Sequence, residues 1–416
     1  MAHYIKISNF GPIEHCELDV EQLTVLTGPQ ASGKSTIAKA IYFFRAIKDD
    51  ILDLMTGQSS LDNLLDLLNA KLNRKFKSLF GANNTFDIGM SIEYFYEKDK
   101  AEAFIKVYAI DSKDVLGKGA SNFFKSGLRI EYGVDIISAL SNIDYADVPL
   151  GKEKRELIEC KLEKVFRDEL KVFFIPAGRS TIASLADDIA AMFISMDDWK
   201  LDNINHSTYE FVKFILKTRQ WFSKVEHESS IIQQLSDKVL GAVYLYRNNE
   251  ELFAFPDKLN NSKYVKISSS SSGQQEAVWI FNVLSYFYME GQKVFLIVEE
   301  PEAHLYPESQ MHIADALAIF ANTSNSLMIT THSPYILGEL NSLILGGQVS
   351  QTQKVVVNEA RIKPGALNAF YVKDGTCNNA IDESGLIMNE LIDGAADEIN
   401  ERCGKLLKLI VAEEES

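Results

Sequence analysis

Nine residues constrain this chain more than any others: Gly28-Pro-Gln30-Ala31-Ser32-Gly33-Lys34-Ser35-Thr36. They fit G-x-x-x-x-G-K-[ST], the loop that cradles phosphates. The glycines permit a tight turn in which successive N–H groups face one anion. Lys34 offers a cation to β- and γ-phosphates and Ser35 a hydroxyl to Mg2+, so a nucleoside triphosphate with Mg2+ is the expected ligand pair. The flanks agree. Gln22–Thr27 reads as a short buried strand and Thr36–Phe44 as an apolar helix, whose positive dipole end would aim at the same phosphates. A chance glycine-rich turn has no need of that order.

Such a loop implies an α/β fold, and in open α/β sheets ligands sit at the carboxyl ends of strands. Two further apolar runs deliver chemistry there. Val294–Val298 ends in Glu299-Glu300, and Leu327–Thr331 ends in His332. An apolar strand carrying acids at its end is a Walker B signal: Glu299 would join the Mg2+ shell, a task usually given to Asp, and Glu300 would orient and polarise an attacking water. Phosphoryl transfer asks for this positioning and charge neutralisation more than for covalent help. A solvated pair of acids and a structural histidine are the plainer readings. Ser271-Ser272-Gly273-Gln274 opens a helix running to about Met289, which suits either anion binding at a helix N-terminus or a serine-rich linker with an N-cap. Arg179, after the strand Val172–Pro176, could reach a phosphate, a neighbouring subunit or a surface carboxylate. His304 suits an interface loop or a turn equally.

The chain has 416 residues, 42 basic against 58 acidic, for a net charge of −16. That field repels nucleic acid overall, although a local basic patch would escape the argument. Cys16, Cys160, Cys377 and Cys403 show no metal or redox spacing, which suits reduced thiols in a cytoplasmic protein. The N-terminus lacks a signal-peptide pattern, and no apolar run approaches ~18 residues, so neither export nor a membrane span is expected.

Along the chain, His3–Asn9 and Leu23–Thr27 read as strands on either side of the Gly11-Pro12 turn. A leucine series over 49–80 has helical period. Residues 86–96 and 103–110 read as an antiparallel hairpin, as do 242–246 and 252–255. Leu128–Tyr132 and Tyr264–Ser268 suggest further strands, Gly151–Leu170 a charged helix, and 181–240 a mainly helical region. A helix is expected over Pro307–Asn322, a strand over Ala369–Lys373 and a last helix from about Ser384. The expected divisions are 1–46 (phosphate loop), 47–84 (helical insertion), 85–180 (β-rich), 181–240 (helical), 241–358 (Ser271–Gln274, Walker B and His332) and 359–416.

In this order, the motifs resemble an ABC-type ATPase head of the SMC/RecF/OLD group. The string Glu299-Glu-Pro-Glu-Ala-His-Leu-Tyr-Pro307, the string Thr331-His-Ser-Pro334 and the opening Ile7-Ser-Asn-Phe-Gly-Pro-Ile13 are most similar to the OLD-like AAA-family ATPases of prokaryotic anti-phage defence. The resemblance implies a P-loop NTPase head with an antiparallel β subdomain and a helical insertion. It identifies Ser271–Gln274 with the ABC signature, with Ser270 and Ser272 departing from Leu-Ser-Gly-Gly-Gln. It identifies His332 with the switch histidine, and it implies a head-to-tail dimer with two ATPs sandwiched between loop and signature. No long heptad array stands here. About 80 residues follow His332, fewer than a TOPRIM nuclease domain needs, so a controlled nuclease, TOPRIM or HNH, is expected on a separate chain. The two-component PARIS and Septu systems look similar. Other uses of such a head are DNA repair of RecF type, a transporter subunit, or ATP as structural glue; the charge and absent arms disfavour the first, and the altered signature the second.

Overall fold

The computed structural model describes residues 3–57, 64–81, 86–87, 89–100, 102–110, 127–143, 151–184, 205–223, 230–255, 263–349, 355–388 and 390–414. Its strands are β1 (His3–Phe10), β2 (Ile13–Val20), β3 (Leu23–Thr27), β4 (Ser91–Phe95), β5 (Phe104–Ile110), β6 (Gly127–Tyr132), β7 (Lys171–Ile175), β8 (Val243–Arg247), β9 (Glu250–Phe255), β10 (Lys263–Lys266), β11 (Val294–Glu299), β12 (Ser326–Thr331), β13 (Leu367–Lys373) and β14 (Thr376–Asn379). Eleven of them form one mixed sheet in the order β6-β5-β4-β1-β2-β14-β13-β3-β12-β11-β7; β8, β9 and β10 form a small second sheet.

The parallel half, β13-β3-β12-β11-β7, is built from the continuous apolar runs. Both of its faces are covered, so alternate residues enter different cores: Val294, Leu296 and Val298 pack on one side of β11, and Phe295 and Ile297 on the other. Runs without polar alternation are what such burial requires. Helix Lys34–Arg45 seals one face through Ile37, Ile41, Phe43 and Phe44. Helices Ser272–Glu290, Pro307–Ala321 and Pro334–Gln348 seal the other. Because β3, β12, β11 and β7 run in one direction, their carboxyl ends come together along one edge of the sheet.

The other half is antiparallel: β1 pairs with both β2 and β4, and β4 with β5, which pairs with β6. The two halves share one sheet because β14 bridges β2 and β13. A buried ion pair braces this arm, Arg45 to Asp168 at 2.8 Å, with Lys48 donating to the Asp168 carbonyl at 2.6 Å. Burial and the Arg45 charge lower the neighbouring His3 imidazole to about 3.

Several local expectations need correction. Both hairpins form, but β2 and β14 were not expected, nor was helix Pro334–Gln348. The last helix begins at Glu390, because Asp382 Oδ1 accepts the N–H of Ser384 (2.8 Å) and of Leu386 (3.2 Å) and closes a turn there. The leucine series divides into helices Ile47–Gly57 and Leu64–Phe80. Residues 111–126 of a polar loop expected over 111–127, and 185–204 and 224–229 of the helical region, lie outside the described residues, while Gly127 opens β6.

Candidate nucleotide site

The loop between β3 and helix Lys34–Arg45 takes a shape that side chains would forbid. Gly28 has φ 141, and a Cβ there would lie 2.2 Å from the Val372 carbonyl oxygen of β13. Gly33, at φ 106, caps the helix and presses against Ile13. Ala31 is also left-handed, at φ 60, and stands exposed with Gln30 at the loop tip. Lys34 curls back over the loop, its Nζ donating to the carbonyls of Gly28 (2.9 Å) and Pro29 (2.7 Å), with Ser32 Oγ at 3.4 Å. Burial lowers its pKa to about 8, against the pull of Glu300 and Glu302. Thr36, half-buried, faces Gly11.

At the end of β11, Glu299 is buried. Burial raises its pKa, opposed by Lys39, the Ser35 hydroxyl and the Ala177 N–H, which donates to Oε2 at 3.3 Å. Glu299 Oε1 has no hydrogen-bond partner among the described residues. A buried orphan carboxylate oxygen beside a serine hydroxyl fits Mg2+, which takes oxygen ligands and seldom more than two from protein. Glu300 follows in the left-handed region, at φ 44, with its N–H on the Thr330 carbonyl at 2.9 Å. Its Oε1 lies 3.5 Å from His332 Nε2, and His332 Nδ1 lies 3.4 Å from Lys34 Nζ. Three strand ends, β3, β11 and β12, thus meet through one imidazole.

One residue of this cluster was missed. Glu302 Oε1 accepts the His332 N–H at 2.7 Å, and burial raises the Glu302 pKa. Its Oε2 has no hydrogen-bond partner among the described residues. A second acid two places beyond Glu300, across Pro301, was the available signal: the turn at Pro301 swings Glu302 back toward the neighbouring strand end.

Ser271–Gln274 stand elsewhere. Ser271 caps helix Ser272–Glu290 in a full capping box with Gln274, whose Nε2 also donates to the Leu240 carbonyl at 2.6 Å. The N-cap reading of this stretch is therefore realised, with Ser271 and Ser272 exposed. A Cβ on Gly273 would lie 2.7 Å from the His304 carbonyl, so the loop carrying His304, itself at φ 59, packs on Gly273. Among the described residues, no hydrogen bond joins Ser271–Gln274 to the phosphate loop.

Arg179 needs correction. It is fully buried, so neither a phosphate nor a surface carboxylate is its partner. Nε donates to the Glu276 carbonyl (3.0 Å), and one terminal nitrogen donates to the carbonyls of Pro176 (2.8 Å) and Glu299 (2.6 Å). The other donates to that of Glu300 (2.8 Å). The Glu276 carboxylate lies 3.2 Å from Nε and accepts the N–H of Arg179 and of Ser180.

A family model described as AAA ATPase domain matches residues 1–337. The chain belongs to that family. This AAA ATPase domain protein is also similar to an OLD nuclease of Thermus scotoductus (strain ATCC 700910 / SA-01), 23% identical over 359 residues, 82% of this chain and 60% of the relative. It is similar to Endonuclease GajA of Bacillus cereus (strain VD045), 22% identical over 367 residues, 85% of this chain and 58% of the relative. The chain thus spans about three fifths of the length of both relatives. Among solved structures it overlaps an SmcHead bound to the C-winged helix domain of ScpA (TM-score 0.42, 13% identity, 91% of this chain and 96% of that one). It also overlaps the SMC head domain from Thermotoga maritima (TM-score 0.38, 9% identity, 92% and 99%). The SMC/OLD-like ATPase resemblance carried by the motifs agrees with the family and with the OLD relative.

Proposed function

We propose that this AAA ATPase domain protein binds ATP with Mg2+, hydrolyses it slowly in a site completed by a second copy of itself, and controls a separate nuclease in anti-phage defence. The supporting observation is that the His332 imidazole links Lys34, 3.4 Å from Nδ1, to Glu300, 3.5 Å from Nε2. The backbone N–H groups of residues 30–36 and the Lys34 ammonium hold the β- and γ-phosphates. Ser35 and Glu299 would hold Mg2+, which neutralises phosphate charge when bound. Glu300 accepts a hydrogen bond from water and aligns its oxygen on the γ-phosphorus; the bond to the β-phosphate oxygen breaks, giving ADP and phosphate. His332 contacts the γ-phosphate. The exposed Ser271–Gln274 end supplies the second copy's loop with hydroxyl and N–H donors.

The nuclease partner is motivated by the relatives, which are named as nucleases and extend beyond the matched region. Among the described residues, no group of three or more His, Cys, Asp or Glu is placed to hold a metal. No helix among them is long and apolar enough to cross a membrane. The test pairs phosphate release with light scattering of a Glu300→Gln variant. Expected are slow turnover by the parent and an ATP-dependent dimer of the variant. Absence of both overturns the reading, whereas loss of assembly in Lys34→Ala with assembly intact in Glu300→Gln and no parent turnover leaves ATP as structural glue.

A further inference from the structure

We propose that Arg179 is a positioning residue for Glu300, and that through it the signature helix sets the geometry of the hydrolytic carboxylate in the same copy. The proposal rests on the hydrolytic role of Glu300 given above.

Glu300 sits at φ 44, a conformation that costs a residue with a Cβ and persists only where surroundings hold it. Two bonds hold this one. The Glu300 N–H is fixed on Thr330 O at 2.9 Å, and its carbonyl receives Arg179 at 2.8 Å. The same guanidinium fixes the preceding carbonyl, Glu299, at 2.6 Å. The peptide that bears both site carboxylates is thus clamped from β12 on one side and from Arg179 on the other.

The other end of the clamp is the signature helix. Glu276 lies five residues after Ser271, its side chain 2% exposed, and it takes the Arg179 charge. A guanidinium buried this deeply needs a charged partner and a full set of acceptors, since an uncompensated charge in the interior is very costly. Glu276 supplies the charge, and four carbonyls supply acceptors. Rotation or translation of helix Ser272–Glu290 therefore has to move Arg179, and Arg179 has to move the Glu299–Glu300 peptide. Helix Arg179–Ser184 follows the same motion, since its first two N–H groups rest on the Glu276 carboxylate. The signature of one copy faces the nucleotide of its partner in the proposed dimer, so this path would report the partner's nucleotide to the copy's own water-orienting group.

The test uses the full chain with two conservative variants. Arg179→Lys keeps the charge opposite Glu276 but cannot fork to three carbonyls. Glu276→Gln removes the charge and keeps an acceptor oxygen for one of the two N–H groups, of Arg179 and of Ser180, that the carboxylate holds, and it touches no residue of the nucleotide site. Phosphate release gives kcat, and fluorescence titration with a methylanthraniloyl-ATP gives Kd. Expected for both variants is a fall in kcat of at least tenfold with Kd within threefold of the parent. Turnover within threefold of the parent in either folded variant overturns the proposal, as does a parallel loss of kcat and affinity, the mark of a merely structural role. If Arg179→Lys does not fold, Glu276→Gln carries the decision. A parent without turnover sinks the hydrolytic reading and this proposal with it; an active parent with unaffected variants sinks this proposal alone.

Discussion

Gly28→Ala is the sharpest perturbation available at the phosphate loop. The residue holds φ 141, which an L side chain rarely adopts, at a cost of about 1–3 kcal/mol. The added Cβ would also lie 2.2 Å from the Val372 carbonyl oxygen. That oxygen cannot step aside cheaply: β13 pairs with β3 through Tyr371 and Thr27 on one side and with β14 on the other. Overpacking of this kind adds about 1–3 kcal/mol. The sum, about 2–6 kcal/mol, is a large share of the 5–15 kcal/mol that holds a typical domain together. Urea unfolding should show the midpoint falling accordingly, and fluorescence titration should show nucleotide affinity falling at least tenfold as the loop is displaced. Val372→Ala in the same chain should not rescue, because the obstacle is main chain. A Gly28→Ala protein with an unchanged midpoint and unchanged affinity would refute the packing of β13 against the loop.

Three other outcomes follow from the site and its surroundings. Burial lowers the Lys34 pKa to about 8, so the free protein loses that charge as pH rises through 8, well below a solvated lysine; nucleotide affinity should fall about tenfold per pH unit above that point, and a flat profile from pH 7 to 9.5 would count against it. Glu302→Ala removes the acceptor of the His332 N–H and should lower turnover roughly tenfold, in line with the loss of about 1.4 kcal/mol of positioning; Glu302→Gln should keep most turnover while moving the Lys34 midpoint to lower pH, because one of the charges that raises it is gone. On the far face, burial raises Asp315 to about 6, against the pull of Lys238 and a hydrogen bond with Glu339, and burial with the Asp315 charge raises Glu339 to about 7. Folded carboxyls with raised pKa values hold protons that the unfolded chain has released, so stability falls as pH rises from about 4 through 7. Discounting for partial exposure, Glu339→Gln should therefore stabilise by up to about 1 kcal/mol at pH 8 and by nothing at pH 4, as read from melting midpoints.

The central strands were legible because burial on both faces of β3, β11 and β12 demands uninterrupted apolar residues, and their ends carry the chemistry. β2 was not, for a local reason. Core-facing positions jump from Ile7 to Phe10 on β1 and from Ile13 to Cys16 on β2, across Asn9 at φ 50. The face therefore switches mid-strand, and the alternation that marks a strand is broken in both partners. β14 reads Thr-Cys-Asn-Asn and shows no pattern at all; neighbouring strands on both sides impose its conformation. The loop, Glu299, Glu300 and His332 could be assembled from strand ends alone. Glu302 could not, because its role depends on a turn that only the fold closes. Arg179 was misread because a lone arginine between loops is commonly solvated, and nothing local announces that Glu276, 97 residues on, is buried beside it.

The position of β3 in the sheet also sets an order of events during synthesis. Leu23 pairs on one side with Leu327 and on the other with Leu367. The phosphate-loop strand therefore leaves the ribosome roughly 300 residues ahead of either neighbour, which at ~5–20 residues per second is a wait of about 15–60 s. Through that interval Leu-Thr-Val-Leu-Thr has both edges bare, and the antiparallel arm of β1 and β2 can form before the nucleotide site exists. A nascent chain halted before residue 320 should carry a folded hairpin and an open, adhesive strand, making this segment a natural client for chaperones until the second half of its own sheet arrives.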